Sequence, residues 1–110
     1  RKKVLADFFV SENGRQPVRE WLLNLSRDDR RIIGKDIQKV EFGWPIGMPY
    51  CRNIERGIWE VRSSLGGNRI ARVLFCLRND RMVLLHGFIK KTRATPQNDK
   101  ALARRRMMEI

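Results

Sequence analysis

The 110-residue sequence predicts one small α+β domain, a small antiparallel sheet with an N-terminal helical hairpin packed on one face, in the order β-α-α-β-β-β-α. Three observations predict it. Apolar residues recur at helical spacing in two adjacent segments of the first half. The second half holds three strand-like runs joined by tight turns. The length suits one core and leaves no room for another, so residues 1–110 are read as a single domain.

The elements follow in order. Lys3–Val10 carries the apolar, aromatic composition of a strand, and a polar turn at Ser11–Arg15 ends it. Pro17 opens a helix, where its missing N–H costs nothing. Val18, Trp21, Leu22 and Leu25 then fall on one stripe. Ser26 followed by Asp29 resembles a capping box and starts a second helix. Its apolar face is Ile33, Ile37, Val40 and Trp44, and Gly43 with Pro45 stops it. Ile58–Leu65, Asn68–Arg78 and Arg81–Lys91 are the three strand-like runs. Gly66-Gly67 and Asn79-Asp80 stand at their junctions, both good hairpin signals, so these neighbours should be antiparallel. Pro96 precedes a final basic helix over Gln97–Ile110.

Charge points to the ligand. The chain carries 24 Lys and Arg against 12 acids, a net +12. Residues 1–51 hold 10 bases and 7 acids, whereas 52–110 hold 14 and 5. A polyanion should therefore dock on the second half, and nucleic acid is the expected partner. No apolar run approaches the roughly 18 residues that span a bilayer, so no membrane is expected. With no signal-like segment before the first strand, the expected compartment is the cytoplasm. Two cysteines, Cys51 and Cys76, and one histidine make a poor zinc set, so reduced thiols and no metal or cofactor are expected.

Strand alternation then sorts side chains onto faces. Ala71, Val73, Phe75 and Leu77 form an apolar face, which Trp59, Val61, Val83, Leu85 and Ile89 should join beneath the helices. The opposite face should stay open and display Arg62, Arg72, His86, Phe88 and Lys90, with Lys91 at its end. Guanidiniums grip phosphate oxygens in pairs and stabilise added charge on phosphorus. An exposed Phe88 would stack on an unpaired base. The reading requires these groups to share one accessible surface.

Ile58-Trp-Glu-Val-Arg62, Arg69-Ile-Ala-Arg-Val-Leu-Phe75 and Leu84-Leu-His-Gly-Phe-Ile-Lys-Lys-Thr-Arg-Ala-Thr-Pro96 resemble successive motifs of the phage-derived, HigB-like branch of the RelE toxin superfamily. With the helical hairpin ahead of them, the likeness covers almost the whole chain. It implies a RelE-like fold and the toxin of a type II toxin–antitoxin system. That toxin is a ribosome-dependent endoribonuclease acting on messenger RNA in the decoding site, touching ribosomal RNA and restrained by a HigA-like helix-turn-helix antitoxin. The implied chemistry uses the substrate's own 2′-hydroxyl and no metal. By position, Arg72 matches the superfamily's phosphate-binding arginine, and Arg62 matches a basic residue of proton transfer or charge stabilisation. Lys91, or its neighbour Lys90, matches the residue that assists the leaving oxygen. Arg69, Phe88 and Arg93 are the expected RNA contacts. Two departures stand out: Glu60 occupies a position where some relatives carry lysine, and the C-terminal tyrosine of many relatives has no counterpart.

Arginine keeps its proton at neutral pH, so Arg62 and Arg72 read as electrostatic clamps. A lysine among cations gives up its proton more readily, which offers Lys90 or Lys91 as acid or base. His86 is the alternative base, or else a histidine satisfied within the sheet. Glu60 either orients a base or pairs with Arg62. The Arg104-Arg105-Arg106 run is a solvated helix end or a further RNA contact. The competing class is a nucleic-acid-binding module without catalysis.

Overall fold

The computed structural model describes residues 1–47, 49–91 and 93–110. Its elements run β1 (Leu5–Phe8), α1 (Pro17–Leu23), α2 (Arg27–Gly43), β2 (Cys51–Glu55), β3 (Ile58–Ser64), a single 3-10 turn (Gly66–Asn68), β4 (Ile70–Arg78), β5 (Arg81–Lys90) and α3 (Gln97–Met108). The α+β class stands. The sheet has five strands in the order β1-β5-β4-β3-β2, antiparallel except for β1, which runs parallel to β5. No helix among the described residues is long and apolar enough to cross a membrane.

The hairpin helices form where the apolar spacing demands. Ser26 caps α2, its side chain accepting from the Asp29 N–H at 3.1 Å. Val18, Ile33, Ile37 and Val40 are buried against Val61, Ala71, Val73, Phe75, Met82 and Leu84 on one sheet face. Trp44 closes the end of this core edge-on to Trp59, with ring centroids 4.9 Å apart. Gly87 is fixed by the same packing. A Cβ there would collide with the Trp21 ring of α1, so only glycine lets the helix lie this close to β5.

Three features depart from the sequence-based expectation. The first is β2, an extra strand whose Cys51-Arg-Asn-Ile-Glu55 lacks a clean alternation because it is a polar edge. The second is a bulge: Leu74 pairs with His86 but Phe75 pairs with Leu84, so Leu85 is extra on β5. Strict alternation through Leu85 therefore fails. Met82 and Leu84 face the hairpin, whereas Val83 and Leu85 turn to the other side. The third is α3, which lies across that other side instead of leaving it open. Ala103 and Met107 pack there with Phe9, Ile58, Leu74, Cys76, Val83, Leu85 and Phe88, a second core. The helices thus cover both faces, α1 and α2 on one and α3 on the other.

Candidate nucleic-acid interface

Beyond the second core, the α3 side of the sheet turns polar, and Glu60 organises it. The β3 carboxylate is fully buried, and three guanidiniums approach it. Arg52 Nε comes from β2 at 3.2 Å, Arg72 Nε from β4 at 3.6 Å, and Arg62 Nε from β3 itself at 3.9 Å. The ladder dictates this convergence: Arg52 lies opposite Glu60, and Arg62 lies opposite Arg72. Two like charges directly across a ladder repel. The carboxylate set between them offsets that repulsion. The Thr95 hydroxyl donates a hydrogen bond to the second oxygen of Glu60 and so pins the segment before α3 to the sheet.

Arg72 is fully buried. Its Nη2 donates to the Arg93 carbonyl at 2.8 Å, and its guanidinium carbon lies 5.9 Å from the centre of the Phe88 ring. Burial pulls its pKa down, opposed by the Glu60 charge. The expectation of Arg72 on an open face is therefore corrected: it is the internal cation of an ionic cluster, roofed by residues 93–95. Phe88 is corrected for the same reason. At 8% exposure it belongs to the second core and presents no free ring for a base.

His86 stacks on Phe88 with ring centroids 5.4 Å apart, and its Nε2 lies 2.6 Å from Asp99 Oδ1 on α3. Burial lowers the His86 pKa below its ordinary value, and the Asp99 contact only partly opposes this. The ring is then neutral at pH 7, donating from Nε2 to Asp99, with Nδ1 as its basic nitrogen. Lys90 Nζ stands 3.6 Å from Asp99 Oδ2 and remains half exposed. Lys91 and Arg93 are exposed, and Arg62 keeps 20% of its side chain accessible.

Arg69 goes elsewhere. Its Nη1 and Nη2 donate to the two oxygens of Asp29 at 2.8 and 3.0 Å, and its Nε donates to the Gly66 carbonyl at 2.8 Å. That bidentate pair, which also holds the Asp29 carboxyl below its usual range, straps the turn to the start of α2. All three nitrogens serve the fold, so the expectation of Arg69 as an RNA contact is corrected too.

The structure thus brings Arg62, Arg72, His86, Phe88 and Lys90 to one side of the sheet, with Arg72 and Phe88 beneath the surface. Lys91 and Arg93 follow on the connection to α3. Sequence reasoning missed Arg52, Thr95 and Asp99, and offered Glu60 only as the orienter of a base or the partner of Arg62. Arg52 was hidden in the unread edge strand, and nothing in the spacing joins Asp99 to His86 before α3 is placed. Thr92 of the quoted motif lies outside the described residues. A cavity of about 520 Å³ lies between α2 and the following turn at Phe42, Ile46 and Tyr50, and none of these site residues lines it. Cys51 and Cys76 are buried, and burial pushes the Cys51 thiol up to about 12, so neither is a nucleophile.

Chemically, the exposed cations can hold phosphodiester oxygens, and the neutral imidazole can take a proton. A family model described as "Phage derived protein Gp49-like (DUF891)" matches residues 20–108. No curated protein matches the chain.

Proposed function

The chain belongs to the phage-derived Gp49-like family, and from that premise we propose that it is a RelE/HigB-type toxin that cleaves messenger RNA in the ribosomal decoding site. One observation carries the reading: Arg52, Arg62 and Arg72 converge on the buried Glu60 carboxylate, and Lys90, Lys91 and Arg93 follow, half-buried or exposed, at the end of β5 and on the connection to α3. A merely solvated basic surface needs no such gathering of cations.

In this reaction the substrate's 2′-oxygen attacks the neighbouring phosphorus, and its proton passes to a base. The bond to the 5′-oxygen breaks and that oxygen takes up a proton. The products are a 2′,3′-cyclic phosphate and a 5′-hydroxyl. Arg62 clamps the phosphoryl oxygens as charge builds on them. His86 Nδ1 is the base, and Lys91, with Lys90 beside it, supplies the proton to the leaving oxygen. Arg72 acts from beneath as a positioning residue that fixes Glu60 and the Arg93 backbone. Ribosomal RNA completes the environment, and a HigA-like helix-turn-helix antitoxin is the partner that restrains it.

The test is growth under induced expression. Wild type should arrest growth, and Lys91→Ala and Arg62→Ala should each relieve the arrest while retaining wild-type thermal melts. Relief confined to variants that unfold would remove the site assignment. Burial of Arg72 and Phe88 favours a second reading, a ribosome-associated regulatory protein or other RNA-binding module without catalysis. The two part on whether RNA is cut.

A further inference from the structure

The edge strand β2 and the chain from Arg93 into α3 enclose a cleft of about 420 Å³. Arg52, Arg93 and Lys100 line it together with Asn53 and Thr95, and no carboxylate among the described residues does. Two of its walls are held by one buried group: Glu60 accepts from Arg52 Nε on one side and from the Thr95 hydroxyl on the other. A third is fixed by Asn53, whose side-chain amide donates to the Glu55 and Ile58 carbonyls at 2.9 and 3.0 Å across the β2–β3 turn. Arg52 gives only its Nε to a described residue, and about a third of its side chain is exposed. The paired terminal nitrogens are the fork that suits a phosphate.

We propose that this cleft is a second phosphate subsite, taking a backbone phosphodiester of single-stranded RNA next to the one gripped by Arg62. Arg52, Arg93 and Lys100 are its contacts, and Glu60 is a positioning residue that aims Arg52. The inference deepens the RNA-cleaving reading and rests on it for the substrate. It also explains why a carboxylate stands at the centre of a cationic site. Glu60 neutralises little of the surface charge, yet it fixes the direction of guanidiniums that would otherwise repel one another. A groove that tracks the backbone through cations is how proteins hold single strands without reading sequence.

The experiment measures binding of a fluorescein-labelled single-stranded RNA by anisotropy across a salt series, with inorganic phosphate as competitor. Removing one cation that pairs with a phosphate should lower the salt slope by about 0.7. Arg52→Ala and Lys100→Ala should each do so and weaken binding about three- to tenfold at low salt. Arg31→Ala, which removes the same charge from the exposed side of α2, should leave the slope unchanged. Phosphate should compete less well against Arg52→Ala than against wild type. Equal losses in all three variants, or no change in slope with Arg52→Ala and Lys100→Ala, would overturn the subsite. So would failure of wild type to bind the RNA. If the slopes change as stated but no RNA is cut on translating ribosomes, the subsite stands and the nuclease reading fails.

Discussion

The two faces of the sheet solve the same burial problem with different chemistry. Under the helical hairpin the centre of the contact is apolar, with Val18, Ile33, Val40, Val73 and Phe75 all essentially sealed from solvent and the buried carboxylates Asp29 and Glu41 kept near the two ends of α2. Under α3 the apolar packing gives way partway across the sheet to Arg72 and Glu60, two ions with no measurable exposure. Ionic burial is a poor way to gain stability, because desolvation consumes most of the attraction. The hairpin face therefore holds the fold, while the α3 face spends part of that stability to place charges. Such placement makes sense where a polyanion is to be met.

The sharpest way to break this contrast is to remove the carboxylate. Glu60→Leu leaves Arg72 buried beside Arg62 and Arg52 with no counter-charge, and should cost about 3–5 kcal/mol in urea unfolding. The double variant Glu60→Leu, Arg72→Met should recover most of that loss. If the single variant were as stable as wild type, the ionic cluster would not be the strained half of the molecule.

On the apolar side, Gly87→Ala forces a methyl group against the Trp21 ring. Overpacking of this kind should cost about 1–3 kcal/mol, read from the same unfolding curves. An unchanged midpoint would mean that α1 is free to slide off β5.

The smallest effect is a pH dependence on the α3 side. His86 has a folded pKa below its unfolded value because burial disfavours the cation. Its stabilising contribution is thus complete above the unfolded pKa, about 6.5. It is lost as pH falls below that towards the folded pKa, since the unfolded chain binds the proton more readily. Stability should fall on acidifying from pH 7 to pH 5, and His86→Gln should flatten that slope. An equal slope in the variant would assign the acid sensitivity to other groups.

The hairpin face was largely legible in the sequence. Helical spacing set α1 and α2, and Ser26 marked the start of α2 where the capping bond now lies. The Gly66-Gly67 and Asn79-Asp80 junctions marked two turns, with Gly67 and Asn79 in the left-handed region at φ 71° and 58°. The α3 face was legible only in part, for a physical reason. Alternation assigns residues to faces only while the ladder is regular, and the extra Leu85 broke it. Alternation also says nothing about what will cover a face. The low apolar content of Gln97–Met108 hid the fact that Ala103 and Met107 would pack with Phe88 and close that face. Glu60 looked like a local partner of Arg62 because its other partners come from β2, β4 and the segment before α3. Such long-range convergence leaves no trace in spacing.

The central claim is that the cations gathered on the α3 side sever RNA. Primer extension on a translated message, with purified protein and ribosomes, tests it most directly. Wild type should create new 5′ ends bearing hydroxyls, opposite 2′,3′-cyclic phosphates, and folded Arg62→Ala and Lys91→Ala proteins should lose them by about tenfold or more. No new ends with wild type, or undiminished ends with both variants, would contradict the account.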